Sequence, residues 1–528
     1  MSEKVGGNTN GKMSLGIEFG STRIKSVLID ESYNTVASGG FTWENKLENG
    51  YWTYNLEDVW SGVQESIRNL KTNIPSECRA TLSSIGTVGI SAMMHGYLAF
   101  DGSNNLLTPF RTWRNTTTEQ AAEILTEKLS FNIPQRWSIA HLYQAILNEE
   151  KHTDEISFIT TLAGYVHWKL TGEKVLGIGD ASGMFPVSSE TNDYNENMLN
   201  KFNDLVKDHK YSWNLTDILP KVLSAGESAG TLTKEGALLL DPSGELRCDI
   251  PLCPPEGDAG TGMVATNAVT PLTGNVSAGT SIFAMIVLER ELAQVHTEID
   301  MVATPHGKSV AMVHCNNCSS DLDAWVNLIN ETTTALGFTV SKPVLYDTLY
   351  GKALEGDVDC GEIMCYNYFS GEPITGLSEG RPLLVRSPDS RFGIANLMKS
   401  IIFSAIATLK IGMDILSQDE QVHAKNLMGH GGLFKTPVVG QKLMAGALNI
   451  PVTVMESAGE GGAWGIAVLA SYLNDSSISL EKYLADKVFA KIESSTIVPD
   501  KADTDSFDLF IERYKKGLAV EAKAVEVL

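Results

Sequence analysis

Two stretches of this chain, half its length apart, carry the same punctuation: LGIEFGSTRIKSVLID from Leu15 to Asp30 and GNVSAGTSIFAMIVLE from Gly274 to Glu289. With Gly279 set over Gly20, GTS faces GST and IVLE stands near VLID. In each, two short apolar runs flank a glycine and small hydroxyls, the pattern of a β-hairpin with a tight tip. A chain of 528 residues exceeds the size at which one core keeps growing. Length and repeat together predict two domains of one architecture. The Pro and Gly of ATNAVTPLTG put the boundary near 265–272, so the expected domains are 14–268 and 269–528.

Between the hairpins, LEDVWSGVQESIRNLKTNI (56–74) spaces Val59, Val63, Ile67 and Leu70 by three and four residues, which predicts a helix with one buried stripe. TVGISAMM (87–94) reads as a strand. Strands alternating with amphipathic helices predict an α/β fold, a sheet covered by helices. The hairpin tip has two readings. Gly20 has access to backbone angles closed to other residues, so N–H groups can line the turn and hold a phosphate. Equally, Gly20, Ser21 and Thr22 are ordinary surface-turn residues.

A net charge of −23 argues against a nucleic-acid partner, whose binding draws on clustered Lys and Arg. It does not exclude nucleotides, because one small phosphate needs only local donors. No run reaches the roughly 18 uninterrupted apolar residues of a membrane helix. The polar leader MSEKVGGNTNGKMS has no apolar signal core, so residues 1–13 are expected to be a disordered tail and the location cytoplasmic. Seven cysteines, an odd number, suit free thiols better than a disulfide framework. His314, Cys315 and Cys318 with Cys360 and Cys365 are a zinc candidate on residue type, but the single CxxC and the long gap favour buried thiols.

Asp258 lies in PPEGDAGTGMVATNAV, where small residues let a close-packed helix begin after Gly257. It is either a helix cap, worth about 1 kcal/mol, or a general base for a substrate hydroxyl. Farther on, residues 426–470 read as strand, Gly-rich turn, helix, strand, a second Gly-rich turn and an Ala-rich helix. Gly429, Gly431 and Gly432 suit either a nucleotide lying against backbone or a tight connection, and match neither GxGxxG nor GxxxxGK[ST].

The hairpin at 16–30, SAMMHG (91–96), DASG (180–183), EGDAGTG (256–262), SAGTSI (277–282), GHGG (429–432) and EGGAWGIA (460–467) together resemble the FGGY carbohydrate kinase family, over nearly the whole chain from residue 14. MMHG looks most like the xylulokinase branch, and the region 429–450 is also similar to ribulokinases. The resemblance implies two actin-like, ribonuclease-H-like domains facing across an ATP and sugar cleft, and ATP-dependent transfer of the γ-phosphoryl group to a sugar hydroxyl. Sugar site and base fall in the N-terminal domain and the adenosine site in the C-terminal one.

It further implies that Gly20, Ser21, Thr22 and Lys25, with Gly279 and Thr280, hold phosphates, and that Gly431 and Gly432 border the adenosine. Glu18 stands where many members have Asp and is expected to orient Mg²⁺ through water. Met94, His95, Trp113 and Asn115 line the sugar site, and Asp258 is the catalytic base. His95 and Trp113 are also readable as core residues. TWRNTTTE (112–119) and Ala259 depart from the family pattern at the sugar site. The expected sugar is a ketopentose, D-xylulose or L-ribulose, and a homodimer is left open. The rival readings are an actin-like ATP switch, which needs no base aimed at a sugar, and a non-catalytic sugar-binding regulator, which would have lost the base or the metal carboxylate.

Overall fold

The computed structural model describes residues 12–76, 78, 80–455 and 461–528. The chain divides by contact into two units. Of the described residues, the first comprises those up to Val269 with 301–310 and 461–492, and the second comprises 270–300, 311–455 and 493–528. Residues 301–310 and 461–492 thus group with the first unit although they follow Val269 in the chain. Of the expected leader, residues 1–11 lie outside the described residues. Met13 is not tail: it is buried and opens the first strand, paired with Ile85.

The first unit is built on five strands in the spatial order Glu256–Gly257, Ile85–Ala92, Met13–Phe19, Arg23–Ile29, Thr35–Thr42. The hairpin forms as its alternation predicts, with Glu18 opposite Lys25 and Phe19 opposite Ile24. Ile85–Ala92 runs parallel to its first strand, setting Ser91 beside Glu18. Leu15, Ile17 and Phe19 on one face and Ser14 and Gly16 on the other are buried, so both faces of the sheet are covered.

The covering helices approach at glycine. A Cβ on Gly16 would lie 2.0 Å from the Ala463 carbonyl oxygen and 2.7 Å from the Ala467 nitrogen. The helix Gly461–Tyr472 therefore rests directly on the first strand. On the opposite face, a Cβ on Gly39 would lie 2.0 Å from Ser66 O. Ser66 belongs to the helix Leu56–Asn73, which buries the predicted stripe of Val59, Val63, Ile67 and Leu70 and is capped by Asn55. Gly16→Ala is expected to lower stability by about 2 kcal/mol or more, because backbone rather than a flexible side chain must yield. Urea unfolding monitored by circular dichroism checks this.

The second unit repeats the order. Ser309–Cys315, Ile282–Val287, Thr273–Ala278, Asn426–His430 and Val452–Met455 lie side by side, with Ser494–Ile497 added at one edge. Its hairpin pairs Ala278 with Ile282, and Asn426–His430 runs parallel to the first hairpin strand. The sequence duplication is thus a duplication of sheet order, and the fold class is α/β with two domains of similar sheet order. Ile394–Asp414 has the length and apolar composition of a membrane-crossing helix, yet Ile401, Ile402, Ala405 and Ile406 are fully buried as core of this unit.

Candidate active site

Met94, His95, Glu18 and Asp258 come together in the first unit, and each is placed by a strand end. Asp258 follows the two-residue strand Glu256–Gly257 and opens the helix Asp258–Ala265. The N-cap of that helix is Gly257, with no side-chain cap bond, so Asp258 is not the helix cap that the sequence allowed. Its side chain is exposed, and its Oδ1 accepts from the Met94 backbone N–H at 3.2 Å. Glu18 sits near the end of the first strand, and its Oε2 accepts from Ala463 N at 3.2 Å in the first turn of Gly461–Tyr472. Gly462 leaves the room for this carboxyl: a Cβ there would stand 2.5 Å from Glu18 Oε1.

His95 follows the strand Ile85–Ala92 with a φ of 67°. Its Nδ1 lies 3.1 Å from Gly183 O, and its ring stacks on Trp137 at 6.2 Å. A carbonyl only accepts, so Nδ1 carries the proton and Nε2 the lone pair. Burial first, then the nearby Arg136 charge, pushes His95 down to about 3, so the ring is neutral at physiological pH.

The hairpin tip differs from its sequence reading in one respect. Neither Gly20 nor Gly279 takes a positive φ. Gly20 N donates to Arg23 O at 3.0 Å, and a Cβ would meet that same oxygen at 3.1 Å, so close approach favours glycine here. The tip is buttressed by Trp43, whose Nε1 donates to Gly20 O, and by Tyr54, whose hydroxyl donates to Ser21 O. Trp113 is 39% exposed and donates from Nε1 to Ser21 Oγ at 3.1 Å, so it is a partner of the tip rather than a core residue. Asn115 is put to a different use from the one expected. Buried, it accepts from Trp52 N and donates to Trp52 O and Thr112 O, which engages both amide hydrogens in holding local backbone.

In the second unit, Gly279 O and Thr280 O accept from Ser319 N and Cys318 N, tying the hairpin tip to the start of the helix Ser319–Ala335. Gly431 has a φ of 101°, and a Cβ there would lie 2.5 Å from Ala278 O. Gly432 borders a cavity of about 460 Å³ with Ser319, Asp323, Tyr346, Tyr350 and Thr436. Nothing in SKPVLYDTLY (341–350) marked Tyr346 and Tyr350 beforehand, since aromatic residues at a four-residue interval on a helix read equally as core.

Residues 13–241 match the family model for the N-terminal domain of the FGGY family of carbohydrate kinases, and residues 274–473 match that for its C-terminal domain. The chain belongs to the FGGY family of carbohydrate kinases. It is an ATP-dependent sugar kinase, with a sugar and ATP as its small-molecule partners. A xylulose kinase of Haemophilus influenzae is 20% identical over 522 residues, covering 96% of this chain and 99% of the relative. A ligand-bound xylulose kinase from Lactobacillus acidophilus has a TM-score of 0.78 at 16% identity, over 97% of this chain and 99% of its own. A gluconate kinase from Lactobacillus acidophilus has a TM-score of 0.77 at 17% identity, again over 97% of this chain and 99% of its own. Two kinases named for different sugars match almost equally, so the fold does not choose the substrate.

The kinase keeps several carboxyls near one another in its first unit. Burial first, then the Asp258 charge, pushes Glu18 up to about 7, against the Ala463 amide and Lys25. Asp258 is reached by solvent yet set among enough protein that its proton affinity is raised, opposed by the Met94 amide. A base with a raised affinity for protons is better matched to taking one from a hydroxyl near neutral pH.

All seven cysteines are free thiols, and Cys315, Cys318, Cys360 and Cys365 are buried. Among the described residues, no group of three or more His, Cys, Asp or Glu is arranged to hold a metal. Purified kinase is expected to carry no stoichiometric zinc and to titrate close to seven thiols after denaturation. Elemental analysis and thiol titration check both.

Proposed function

We propose that this kinase phosphorylates a ketopentose, D-xylulose or L-ribulose, with Asp258 as the catalytic base. The observation that carries the reading is the hydrogen bond from Met94 N to Asp258 Oδ1, which joins the Met-His-Gly element to the carboxylate in one place. Asp258 accepts the proton of a sugar hydroxyl. The freed oxygen forms a bond to the γ-phosphorus as the bond to ADP breaks, with its electron pair leaving on ADP. His95, fixed through Nδ1, accepts a second sugar hydroxyl at Nε2. Phosphoryl transfer depends mainly on positioning and on neutralising charge, and Lys25, opposite Glu18, is a cation at the tip of the first hairpin.

The residues fit a hydrated Mg²⁺. Glu18 supplies hard carboxylate oxygens, and its raised proton affinity is that of a buried anion lacking a full counter-charge. Bound Mg²⁺ would neutralise phosphate charge, with Glu18 orienting its water shell. We assign the sugar site and base to the N-terminal domain, 14–268, and the adenosine site to the C-terminal domain, 269–528. There the cavity beside Gly432, with its Tyr346 and Tyr350 rings, supports a nucleoside.

A coupled ADP-release assay tests the substrate. The highest kcat/KM is expected on D-xylulose or L-ribulose, with gluconate and glycerol at least tenfold poorer. A preference for either of the latter overturns the ketopentose assignment.

A further inference from the structure

Asp180 belongs to the DASG stretch, and the reaction described above gives it no task. It lies in the single turn Ile178–Ala181 and is 0% exposed. One carboxyl oxygen, Oδ2, accepts from Thr161 Oγ1 at 2.6 Å. The other, Oδ1, has no hydrogen-bond partner in the protein. A buried polar atom without a partner costs about 1–3 kcal/mol, and more when charged, so such an atom calls for a ligand or a water.

Its position says which ligand. A Cβ on Gly257 would lie 2.1 Å from Met94 Cγ and 3.2 Å from Asp180 Oδ1. The free oxygen therefore stands beside the residue that precedes Asp258 and next to the Met94 side of the sugar site. Three residues along from Asp180, Gly183 O holds His95 in place. The backbone of the turn is itself fixed, because the buried Glu256 carboxylate accepts from Asp180 N at 3.0 Å. The buried Tyr194 hydroxyl also lacks a protein partner, and the Asp180 charge acts on it. Fixed backbone, one anchored oxygen and one unpaired oxygen describe a preorganised hydrogen-bonding group rather than a structural brace, which would use both oxygens.

We infer that Asp180 Oδ1, closed to solvent in this structure where the Met94 side chain packs over Gly257, becomes on a shift of that side chain the hydrogen-bond partner of a sugar hydroxyl other than the one that is phosphorylated, and so helps set which sugar is accepted. This rests on the placement of the sugar at Asp258 and His95 proposed above. A site built to pair a hydroxyl discriminates strongly against an analogue that lacks it, because the protein group is then left unpaired.

The test is a double-mutant cycle with the monodeoxy analogues of D-xylulose, comparing wild type with Asp180→Ala, and with Asp180→Asn, which can keep the Thr161 bond, as the variant with least risk to folding. In wild type, one deoxy position is expected to lose at least tenfold in kcat/KM. In Asp180→Ala the same position loses less than threefold, while penalties at the other positions, KM for ATP and the melting temperature stay close to wild type. Equal penalties at every position in both proteins overturn the inference and leave Oδ1 to a buried water. Wild-type turnover of D-xylulose itself is the control. Should the kinase prefer another sugar, the deoxy series is made on that sugar, so failure of the ketopentose assignment stays distinct from failure of the Asp180 inference.

Discussion

Asp258→Asn is expected to lower turnover on the best ketose by at least two orders of magnitude while leaving folding and ATP binding intact. Asn matches Asp in size, and its side-chain oxygen can still accept from Met94 N, as Asp258 Oδ1 does. The helix loses no cap, since the N-cap position belongs to Gly257. What is lost is a group able to accept the sugar proton. A positioned base contributes about 10²- to 10⁴-fold, roughly 3 to 5 kcal/mol of barrier. Turnover measured beside calorimetric ATP binding checks the result. Unchanged turnover would leave Asp258 as a backbone anchor for Met94 and no more.

Glu18→Gln is expected to act in two directions. Turnover should fall by about 10²- to 10³-fold, the loss typical when one preorganised charge-stabilising group is removed. Stability of the ligand-free, chelator-treated protein should instead rise at neutral and alkaline pH. The folded-state value of Glu18 is raised to about 7 from 4.5 by burial and by Asp258. The native state therefore binds more protons than the unfolded chain between those values, and stability falls as pH rises through that window. Gln keeps the shape and can still accept from Ala463 N without ever becoming an anion. Melting temperatures at pH 5 and pH 8 should therefore differ less in the variant than in wild type. Wild-type turnover in Glu18→Gln would remove this carboxylate from the proposed metal site.

The parts of the fold that the sequence revealed are those with short periods. The hairpin tips at Gly20 and Gly279, the stripe from Val59 to Leu70 and the strand–turn–helix after Asn426 all appear where alternation or three-and-four spacing put them. Contacts between segments distant in the chain were not legible. Gly16 gives no sign in sequence that Ala463 presses on it. The grouping of residues 461–492 with the first unit depends on packing that no local pattern encodes.

The same division runs through the site. Asp258 stood out as a carboxylate where small residues let a close-packed helix begin, and His95 only through the Met-His-Gly element of the family resemblance. Asn115 looked equally chemical, yet its amide is engaged with Trp52 and Thr112. The free oxygen of Asp180 could not be read at all, because whether a carboxyl is paired depends on Thr161, Gly257 and Met94, none of them adjacent in sequence.

The most direct test of the account is a crystal structure of the kinase with D-xylulose and a non-hydrolysable ATP analogue. The account predicts one sugar hydroxyl within about 3 Å of an Asp258 carboxylate oxygen, facing the γ-phosphorus, and another within about 3 Å of His95 Nε2. A sugar bound with no hydroxyl in hydrogen-bonding reach of Asp258 would contradict it.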